Sequence, residues 1–253
     1  MRIAAVPQSC RSKLAGRWRS GTLRPPSGCG MEFSLRVTFV RHGANLWTGT
    51  PRLLARTDVP LSELGQQQAK AVAERLADRP FDAIWTSPLQ RCSATAQAIA
   101  DRIGLQPLAD ARLMECNLGK LEGLSFTDLP SGPGTFRDRW QKRPGTTRFA
   151  GGETIAECAA RGWKVLEELY DRHPNGHVIV VCHMFAIGGM LTRVFGLKPH
   201  HFRTFAIDVA SLTTINMAKG GFRLLQLNDV SHLESLPPSP TMTPWALPSK
   251  RVA

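Results

Sequence analysis

Two short apolar segments, far apart in the chain, each run into a histidine. Residues 37–40, with the sequence VTFV, are followed directly by Arg41 and His42. Residues 178–181, with the sequence VIVV, are separated from His183 by a single cysteine. Such runs are typical of strands buried in a parallel sheet, and ligands bind beyond the carboxyl ends of such strands. The pattern therefore predicts an α/β fold in which both histidines lie at one edge of the sheet.

A third predicted strand adds a second arginine to this edge. Ala83–Thr86 is short and apolar, and it is followed by Ser87, Pro88 and, three residues further on, Arg91. Two histidines and two arginines at one sheet edge form a cationic pocket suited to a doubly charged anion such as a phosphate group. A solvated position at the start of a helix is the alternative for Arg91.

The segments between these strands carry helical patterns. Ser62 is a candidate N-cap for a helix that continues to about residue 79, and Gly104 is a candidate C-cap for a helix over residues 89–103. The other predicted elements are helices over residues 154–170 and 185–195, a piece at 204–207, and a closing hairpin formed by 212–217 and 222–227. The alternation of strands and helices predicts a three-layer α/β/α sandwich with a central, mostly parallel sheet.

The charge of the chain is unevenly distributed. The formal net charge is +12, but eight of the 32 basic residues lie in residues 1–30 and 237–253, which hold no acidic residue. The rest of the chain has 24 basic and 20 acidic residues, without a dense basic run interleaved with aromatic residues. This pattern argues against nucleic acid as a partner. No apolar stretch is long enough to span a bilayer, so no membrane partner is predicted either.

The two ends of the chain differ in composition from its body. Residues 1–30 are basic and rich in Ser, Gly and Pro, and we expect a disordered extension there. A transit peptide is an alternative, and a true start at Met31 is the interpretation we favour. Residues 236–253 contain five prolines and are predicted to form a disordered tail. A single domain is expected over residues 31–235, with a less regular insertion at residues 124–150.

The six cysteines are scattered, without a C-x-x-C pair or any metal-ligand spacing. Free thiols in a reducing cytosol are the simplest interpretation, which predicts a cytoplasmic protein. Neither a metal site nor a cofactor site is expected. The sequence makes no prediction of the oligomeric state.

Six sequence blocks, in order, match the motifs of a known family. They are RHGANLWT from Arg41, TDVPLSELGQQQA from Thr57, SPLQR from Ser87 with Thr95-Ala96, LME from Leu113 with Gly119 and Glu122-Gly123, GGET from Gly151, and VVCH from Val180. The chain resembles the histidine phosphatase superfamily, also called the phosphoglycerate mutase-like family, over residues 36–227. The short single-domain phosphatases are the most similar branch. The resemblance implies a phosphoglycerate mutase-like fold for the predicted sandwich.

The resemblance also implies a function, that of a metal-independent phosphomonoesterase acting on a small phosphate ester. His42 would be the nucleophile that carries a transient phosphoryl group, and Glu115 would be the general acid that then acts as a base. The phosphoryl oxygens would be held by Arg41, Arg91 and His183. Asn45 is a further candidate for phosphate contact, and a simple turn residue fits it equally well. For Glu115 the alternative is an exposed loop acid.

Four positions depart from the family motifs. Ala44 stands where Glu or Gln is usual, and Thr48 stands where Asn is common. Met184 replaces a Gly that often follows the second histidine, and Gly188 replaces a frequent Arg. None of these changes removes a group that the implied chemistry needs, but together they leave the substrate open.

Two other functions remain open. A phosphoglycerate mutase uses the same chemistry, but Glu115 is not followed here by the mutases' Tyr-Gly-x-L-x-G-L-N-K-type segment. A non-catalytic phospholigand-binding protein is the alternative from another class. The insertion at residues 124–150 is either a solvated basic loop or a lid that favours acidic substrates, because it contains Arg137, Arg139, Lys142, Arg143 and Arg148.

Overall fold

A six-stranded mixed sheet forms the centre of the computed structural model, which describes residues 34–219 and 221–240. The strands are β1 (Ser34–Arg41), β2 (Ala83–Thr86), β3 (Pro107–Ala109), β4 (His177–Cys182), β5 (Leu212–Ala218) and β6 (Gly221–Asp229). They lie in the order β3-β2-β4-β1-β5-β6. Strands β1 to β4 are parallel, and β5 runs antiparallel to both of its neighbours. The predicted mostly parallel sheet is confirmed.

Four of the five helices in the described residues begin and end close to the predicted positions, and the fifth lies in the insertion, where no helix was predicted. The five are α1 (Glu63–Leu76), α2 (Gln90–Ile103), α3 (Phe136–Lys142), α4 (Ile155–Arg172) and α5 (Met184–Val194). Ser62 caps α1 as predicted, because its Oγ accepts a hydrogen bond from the Gly65 N–H at 3.1 Å. Gly104 ends α2 in the left-handed conformation, with a φ of 75° that favours glycine.

Two separate apolar cores cover the two faces of the sheet, and β4 contributes to both. Val178 and Val180 belong to a core shared with α4 and α5, whereas Ile179 and Val181 belong to a core shared with α1 and α2. Because successive side chains of a strand face opposite sides, an unbroken apolar run indicates a strand covered on both faces. The predicted three-layer α/β/α sandwich is confirmed.

Three local predictions differ from the structure. The edge strand β3 was not expected, because its three residues carry too little apolar pattern. Thr204 is the last residue of a 3₁₀ turn at Pro199–Thr204, and residues 204–207 form no part of the described sheet. The insertion at residues 124–150 is more regular than expected, since α3 packs Trp140 against the rings of Phe149, Phe185 and Phe202.

Residues 1–33, Gly220 and residues 241–253 lie outside the described part of the chain. The extension expected at residues 1–30 and most of the tail expected at residues 236–253 therefore stay predictions. The first five residues of that tail, 236–240, are described, and they lie beside the candidate site. Among the described residues, no helix combines the length and the apolar character needed to cross a bilayer.

Candidate active site

The carboxyl ends of β1, β4 and β2 lie side by side, and the predicted site residues come together there. A cavity of about 630 Å³ opens at this edge, which is a size typical of small-molecule sites. Five of the six predicted site residues line it, namely Arg41, His42, Asn45, Arg91 and Glu115. The sixth, His183, lies next to His42, with the centroids of the two imidazole rings 5.1 Å apart.

The hydrogen bonds of His42 define which ring nitrogen can act as a nucleophile. Its Nδ1 lies 2.8 Å from the carbonyl oxygen of Gly43, which only accepts, so Nδ1 carries the proton. Its Nε2 lies 3.3 Å from Nε of Arg91, which only donates, so Nε2 holds the electron pair. Burial, followed by the charges of Arg91 and Arg41, lowers the pKa of His42 well below its ordinary value. His42 is therefore a neutral imidazole with an electron pair at Nε2.

Arg91 is held in place by a loop that Glu122 organises. Nη1 of Arg91 donates to the carbonyl oxygen of Thr57 at 3.1 Å, and Nη2 donates to that of Ala55. The carboxylate of Glu122 accepts from three successive N–H groups at 2.7, 3.2 and 3.1 Å, those of Ala55, Arg56 and Thr57. Arg91 is 1% exposed, so its charge acts where solvent screens it little. Glu122 thus positions this guanidinium through the backbone.

Arg41 presents a second guanidinium to the cavity, and its side chain is half-buried. Its Nη1 donates to the carbonyl oxygen of Ile207 at 2.7 Å, which fixes the direction of the side chain. Its Nε is buried and has no hydrogen-bond partner among the described residues. A buried donor without an acceptor is costly, so an anionic ligand would satisfy this group. Burial lowers the pKa of Arg41, and the carboxylates of Glu115 and Asp208 oppose the shift.

Glu115 is a buried acid at the amino end of α5, and the alternative of an exposed loop residue is wrong. Its Oε1 accepts from the N–H groups of Cys116 at 2.8 Å and Ala186 at 3.2 Å, and its Oε2 accepts from that of Phe185 at 3.2 Å. Burial raises the pKa of Glu115, while the backbone donors and two nearby arginines limit the rise. An acid with a raised pKa is suited to protonate a leaving group.

His183 is fully buried and is not among the residues that line the cavity. Its Nε2 lies 2.8 Å from Oγ of Ser87 and 3.4 Å from the sulfur of Cys92. Burial, followed by the charges of Arg91 and His42, lowers the pKa of His183 well below its ordinary value. The structure brings His183 against the nucleophile, whereas its contact with a phosphoryl oxygen stays a prediction.

The loop after β1 is closed by α1, and Gln68 is a site residue that the sequence did not reveal. Gly65 allows the close approach, because a Cβ there would overlap the carbonyl oxygen of Ala44. Gln68 is 1% exposed, lines the cavity, and accepts from the Ala44 N–H at 2.8 Å through Oε1. Its place in the TDVPLSELGQQQA block was the one available signal. The Gln68 side chain of α1 therefore holds the backbone of Ala44. Position 44 is the one at which the family motif usually has Glu or Gln.

Asn45 forms a local turn and also lines the cavity. Its Oδ1 accepts from the Trp47 N–H at 2.9 Å, and its own N–H donates to Oγ1 of Thr48 at 2.8 Å. Both side chains, Asn45 and Thr48, face the same cavity. The amide nitrogen of Asn45 is thus the group that it can offer to a ligand, and a phosphate contact there stays a prediction.

The rim of the cavity is built by other residues than expected. The cavity lining includes none of the described residues 124–150, so the structure favours the solvated loop over the lid for this segment. Arg137 instead lies over the ring of Phe126, with Cζ 5.3 Å from the ring centroid. Two rim residues, Trp47 and Arg52, are not among the site residues predicted from the sequence, and Cζ of Arg52 lies 5.4 Å from the Trp47 ring centroid.

Among the described residues, three potential metal ligands lie together, namely Cys116, Glu153 and Cys158. None of the three lines the cavity. Arg161 donates to Oε1 of Glu153 at 2.7 Å and to the sulfur of Cys158 at 3.2 Å. A guanidinium so close to both ligands opposes a cation there. The arrangement therefore fits buried thiols beside an ion pair better than a metal centre.

Known protein sequences are similar to this chain over most of its length. A profile described as histidine phosphatase superfamily (branch 1) matches residues 37–230. Phosphoserine phosphatase 1 of Hydrogenobacter thermophilus is 33% identical over 200 residues, which cover 79% of this chain and 94% of that protein. A probable phosphoglycerate mutase of Yersinia enterocolitica is 31% identical over 209 residues, which cover 79% of this chain and 95% of that protein.

Solved structures share the fold. A mycobacterial glucosyl-3-phosphoglycerate phosphatase superposes with a TM-score of 0.70 at 28% identity, covering 77% of this chain and 99% of that one. A phosphoserine phosphatase of Entamoeba histolytica in complex with 3-phosphoglyceric acid gives a TM-score of 0.72 at 25% identity, covering 79% and 99%. With a profile match over most of its length and a buried His42 beside two arginines, this chain belongs to branch 1 of the histidine phosphatase superfamily and is a phosphatase.

Proposed function

We propose that this phosphatase is a metal-independent phosphomonoesterase that hydrolyses a small phosphorylated metabolite through a phosphohistidine on His42. One observation carries the proposal: a neutral imidazole holds its Nε2 electron pair beside Arg91, in a cavity that Arg41 and Glu115 also line. A nucleophile, two charge-stabilising groups and a proton donor are the parts that phosphoryl transfer needs.

In the first half of the reaction, Nε2 of His42 attacks phosphorus, and the bond from phosphorus to the ester oxygen breaks. Arg41 and Arg91 would hold the phosphoryl oxygens, over which charge spreads in the transition state. Glu115, whose pKa is raised by burial, would give its proton to the departing alkoxide. The Nδ1–H of His42 stays bound to the Gly43 carbonyl, which stabilises the positive ring that forms.

In the second half, a water molecule attacks the phosphohistidine. The carboxylate of Glu115 accepts a proton from this water as the new bond to phosphorus forms. The phosphorus–nitrogen bond then breaks, inorganic phosphate leaves, and His42 returns to its neutral form. Glu115 is protonated again, so the enzyme is ready for another cycle. His183 would assist both halves by donating to a phosphoryl oxygen.

Trapping the intermediate tests this proposal directly. The protein is mixed with a radiolabelled phosphate ester and quenched rapidly into alkali, where phosphohistidine survives. We expect label on the wild-type protein and none on a folded His42→Ala variant. His200→Ala, which replaces an exposed histidine, is the matched control and should be labelled normally. A folded His42→Ala protein with near-normal turnover would contradict the mechanism.

A mutase is the second candidate, and the similarity to the Yersinia protein favours it. The same phosphohistidine would then pass its phosphoryl group to a hydroxyl of a phosphoglycerate instead of to water. Product analysis with 3-phosphoglycerate separates the two activities. Free phosphate indicates a phosphatase, whereas 2-phosphoglycerate indicates a mutase. A non-catalytic phospholigand-binding protein would yield neither product and no labelled histidine.

We further propose that residues 31–235 form the catalytic domain and that the protein is cytoplasmic. The cysteines that the structure describes are buried and unpaired, which fits a reducing compartment; they are Cys92, Cys116, Cys158 and Cys182. Subcellular fractionation tests the location, and recovery of the protein in an oxidising compartment would contradict it.

A further inference from the structure

Residues 236–240, named the strap from here on, reach across the candidate active site. All five line the same cavity as His42 and Glu115. The strap follows β6 and a 3₁₀ turn at Ser231–Leu233, and Val230 and Leu233 line the cavity as well. A segment whose composition predicts disorder thus supplies a wall of the site.

Two contacts hold the far end of the strap. Oγ of Ser239 accepts a hydrogen bond from Nε2 of Gln68 at 2.7 Å. Pro240 packs on Gly49, where a Cβ would overlap the proline ring. Oε1 of the same Gln68 accepts from the Ala44 N–H at 2.8 Å, two residues after the nucleophile. One buried side chain therefore joins the strap to the loop that follows His42.

The near end of the strap is anchored too. Asp229 accepts from Arg75 of α1 at 3.4 Å, and Nε2 of His232 lies 3.0 Å from the carbonyl oxygen of Ala210. Leu233 packs against the core that α1 and α2 share. Three of the five strap residues are prolines, whose fixed φ reduces the conformational freedom lost on ordering. The strap is thus a short, stiff connection with both ends attached.

The strap lies beyond the part of the chain that the family profile matches. That match ends at residue 230, and it includes His42, Arg91 and Glu115. The residues of the proposed chemistry therefore belong to the shared part of the chain, whereas this wall does not. In a phosphomonoester the phosphoryl group is constant and the alcohol portion varies. A wall outside the shared chemistry is suited to contact the variable portion.

We infer that the strap determines specificity by restricting the size of the leaving alcohol. Its side chains are a leucine, a serine and three prolines, and the serine hydroxyl already accepts from Gln68. A wall of this kind offers little hydrogen bonding to a nucleoside or a disaccharide, and it bounds the same cavity that His42 lines. The inference rests on the proposed function, because the phosphoryl group at His42 defines where the alcohol lies. On this inference, the strap selects compact phosphate esters over bulky ones.

Full-length variants test the inference. Ser239→Ala removes the acceptor for Gln68, Pro237→Gly/Pro238→Gly loosens the backbone, and Ser239→Thr is the matched control that keeps the hydroxyl. The quantity measured is the ratio of kcat/KM for adenosine 5′-monophosphate, a bulky ester, to kcat/KM for phosphoserine, a compact one. We expect this ratio to rise about 2- to 10-fold in Ser239→Ala, the range set by loss of one hydrogen bond, to rise also in Pro237→Gly/Pro238→Gly, and to stay unchanged in the control.

Calorimetric binding of the same two esters, measured with the strap variants in a His42→Ala background so that the esters are not hydrolysed, separates this inference from the proposed function. If the ratio of the two Kd values shifts as expected but no variant or wild-type protein hydrolyses either ester, the proposed function fails and the strap inference stands. An unchanged ratio in folded Ser239→Ala and Pro237→Gly/Pro238→Gly proteins overturns the strap inference alone. A wild-type protein that binds neither ester overturns both.

Discussion

Nε of Arg91 lies 3.3 Å from Nε2 of His42, so a permanent cation donates to the nitrogen that must keep its electron pair. A neighbouring positive charge opposes protonation of the imidazole. The second imidazole nitrogen is engaged by the Gly43 carbonyl, which excludes the opposite tautomer. The pair therefore keeps His42 reactive over a pH range in which an exposed histidine would be protonated.

The first prediction is that the protonation of His42 limits stability at acidic pH. The folded-state pKa of His42 is depressed, first by burial and then by Arg91 and Arg41, whereas an unfolded histidine protonates near pH 6.5. The unfolded chain thus binds more protons as the pH falls below about 6.5, and the free energy of unfolding falls with it. The substitution His42→Gln should make this fall shallower, by up to about 1.4 kcal/mol per pH unit.

Urea unfolding at several pH values between neutral and mildly acidic checks this prediction. The control is His200→Gln, since His200 is exposed and should leave the slope unchanged. If His42→Gln and wild-type protein lose stability equally with falling pH, His42 is not held neutral by its surroundings.

The second prediction assigns the proton of the leaving group to Glu115. A general acid contributes about 10²–10⁴-fold, and it matters most when the leaving group is a poor one. Glu115→Gln should therefore reduce kcat/KM far more for an alkyl phosphate than for p-nitrophenyl phosphate, whose leaving group departs unaided. Because burial raises the pKa of Glu115, its protonated form is lost only as the pH rises through that raised value. With the alkyl phosphate, kcat/KM of the wild-type enzyme should therefore fall as the pH rises through this value. The pH profile of the variant should lack this alkaline limb.

An equal reduction of kcat/KM for both substrates would show that Glu115 is not the general acid. An alkaline limb that persists in the Glu115→Gln variant would assign it to another group. Glu63→Gln, which alters an exposed acid at the start of α1, should change neither rate.

The third prediction concerns Glu122, which does not line the cavity. Its carboxylate holds the N–H groups of residues 55–57, whose carbonyls in turn hold Arg91. Hydrogen bonds to a charged group contribute about 1.5–3 kcal/mol, so Glu122→Gln should lower kcat/KM by about 10- to 100-fold if that loss reaches the transition state. The affinity for vanadate should weaken in parallel, because Arg91 is expected to contact the oxyanion.

A purely structural role for Glu122 would give a different result. The free energy of unfolding would fall, while folded Glu122→Gln protein would bind vanadate and turn over substrate normally. Glu122→Asp tests the geometry, because it keeps the charge and shortens the reach of the carboxylate.

Much of this site could be predicted from local sequence signals. The apolar run over residues 178–181 predicts a strand covered on both faces, and the residue that follows such a strand lies at the carboxyl edge of the sheet. Ser62 and Gly104 predict helix ends because capping depends on one or two neighbouring residues. These signals act over short stretches of chain, so sequence alone contains them.

The supporting residues could not be predicted in this way. Glu122 is separated by 67 residues from Ala55, and Gln68 by 171 residues from Ser239, and neither pair carries a local signal. The same limit applies to residues 124–150, for which composition left a solvated loop and a lid as alternatives. Composition shows that this segment is basic, but it does not show that α3 packs Trp140 into the core beside Phe185.

The last prediction is that Arg52, and not the insertion, recognises acidic substrates. Arg52 lines the cavity and lies over Trp47, and it makes no ion pair with any described carboxylate. Arg137 and Arg139 donate to backbone carbonyls of the insertion instead, away from the cavity lining. Arg52→Gln should raise KM for 3-phosphoglycerate about 2- to 5-fold more than KM for p-nitrophenyl phosphate, the range expected for a partly screened charge.

Salt and a matched variant make this prediction specific. The difference between the two substrates should shrink as salt is added, since exposed charges are screened over about 8 Å at physiological ionic strength. The triple variant Arg137→Gln/Arg139→Gln/Arg143→Gln removes more charge from the insertion, yet it should change KM for both substrates alike, because none of these side chains reaches the cavity lining. If the triple variant shows the selective, salt-dependent rise and Arg52→Gln does not, the insertion moves over the site during catalysis and Arg52 is only a rim residue.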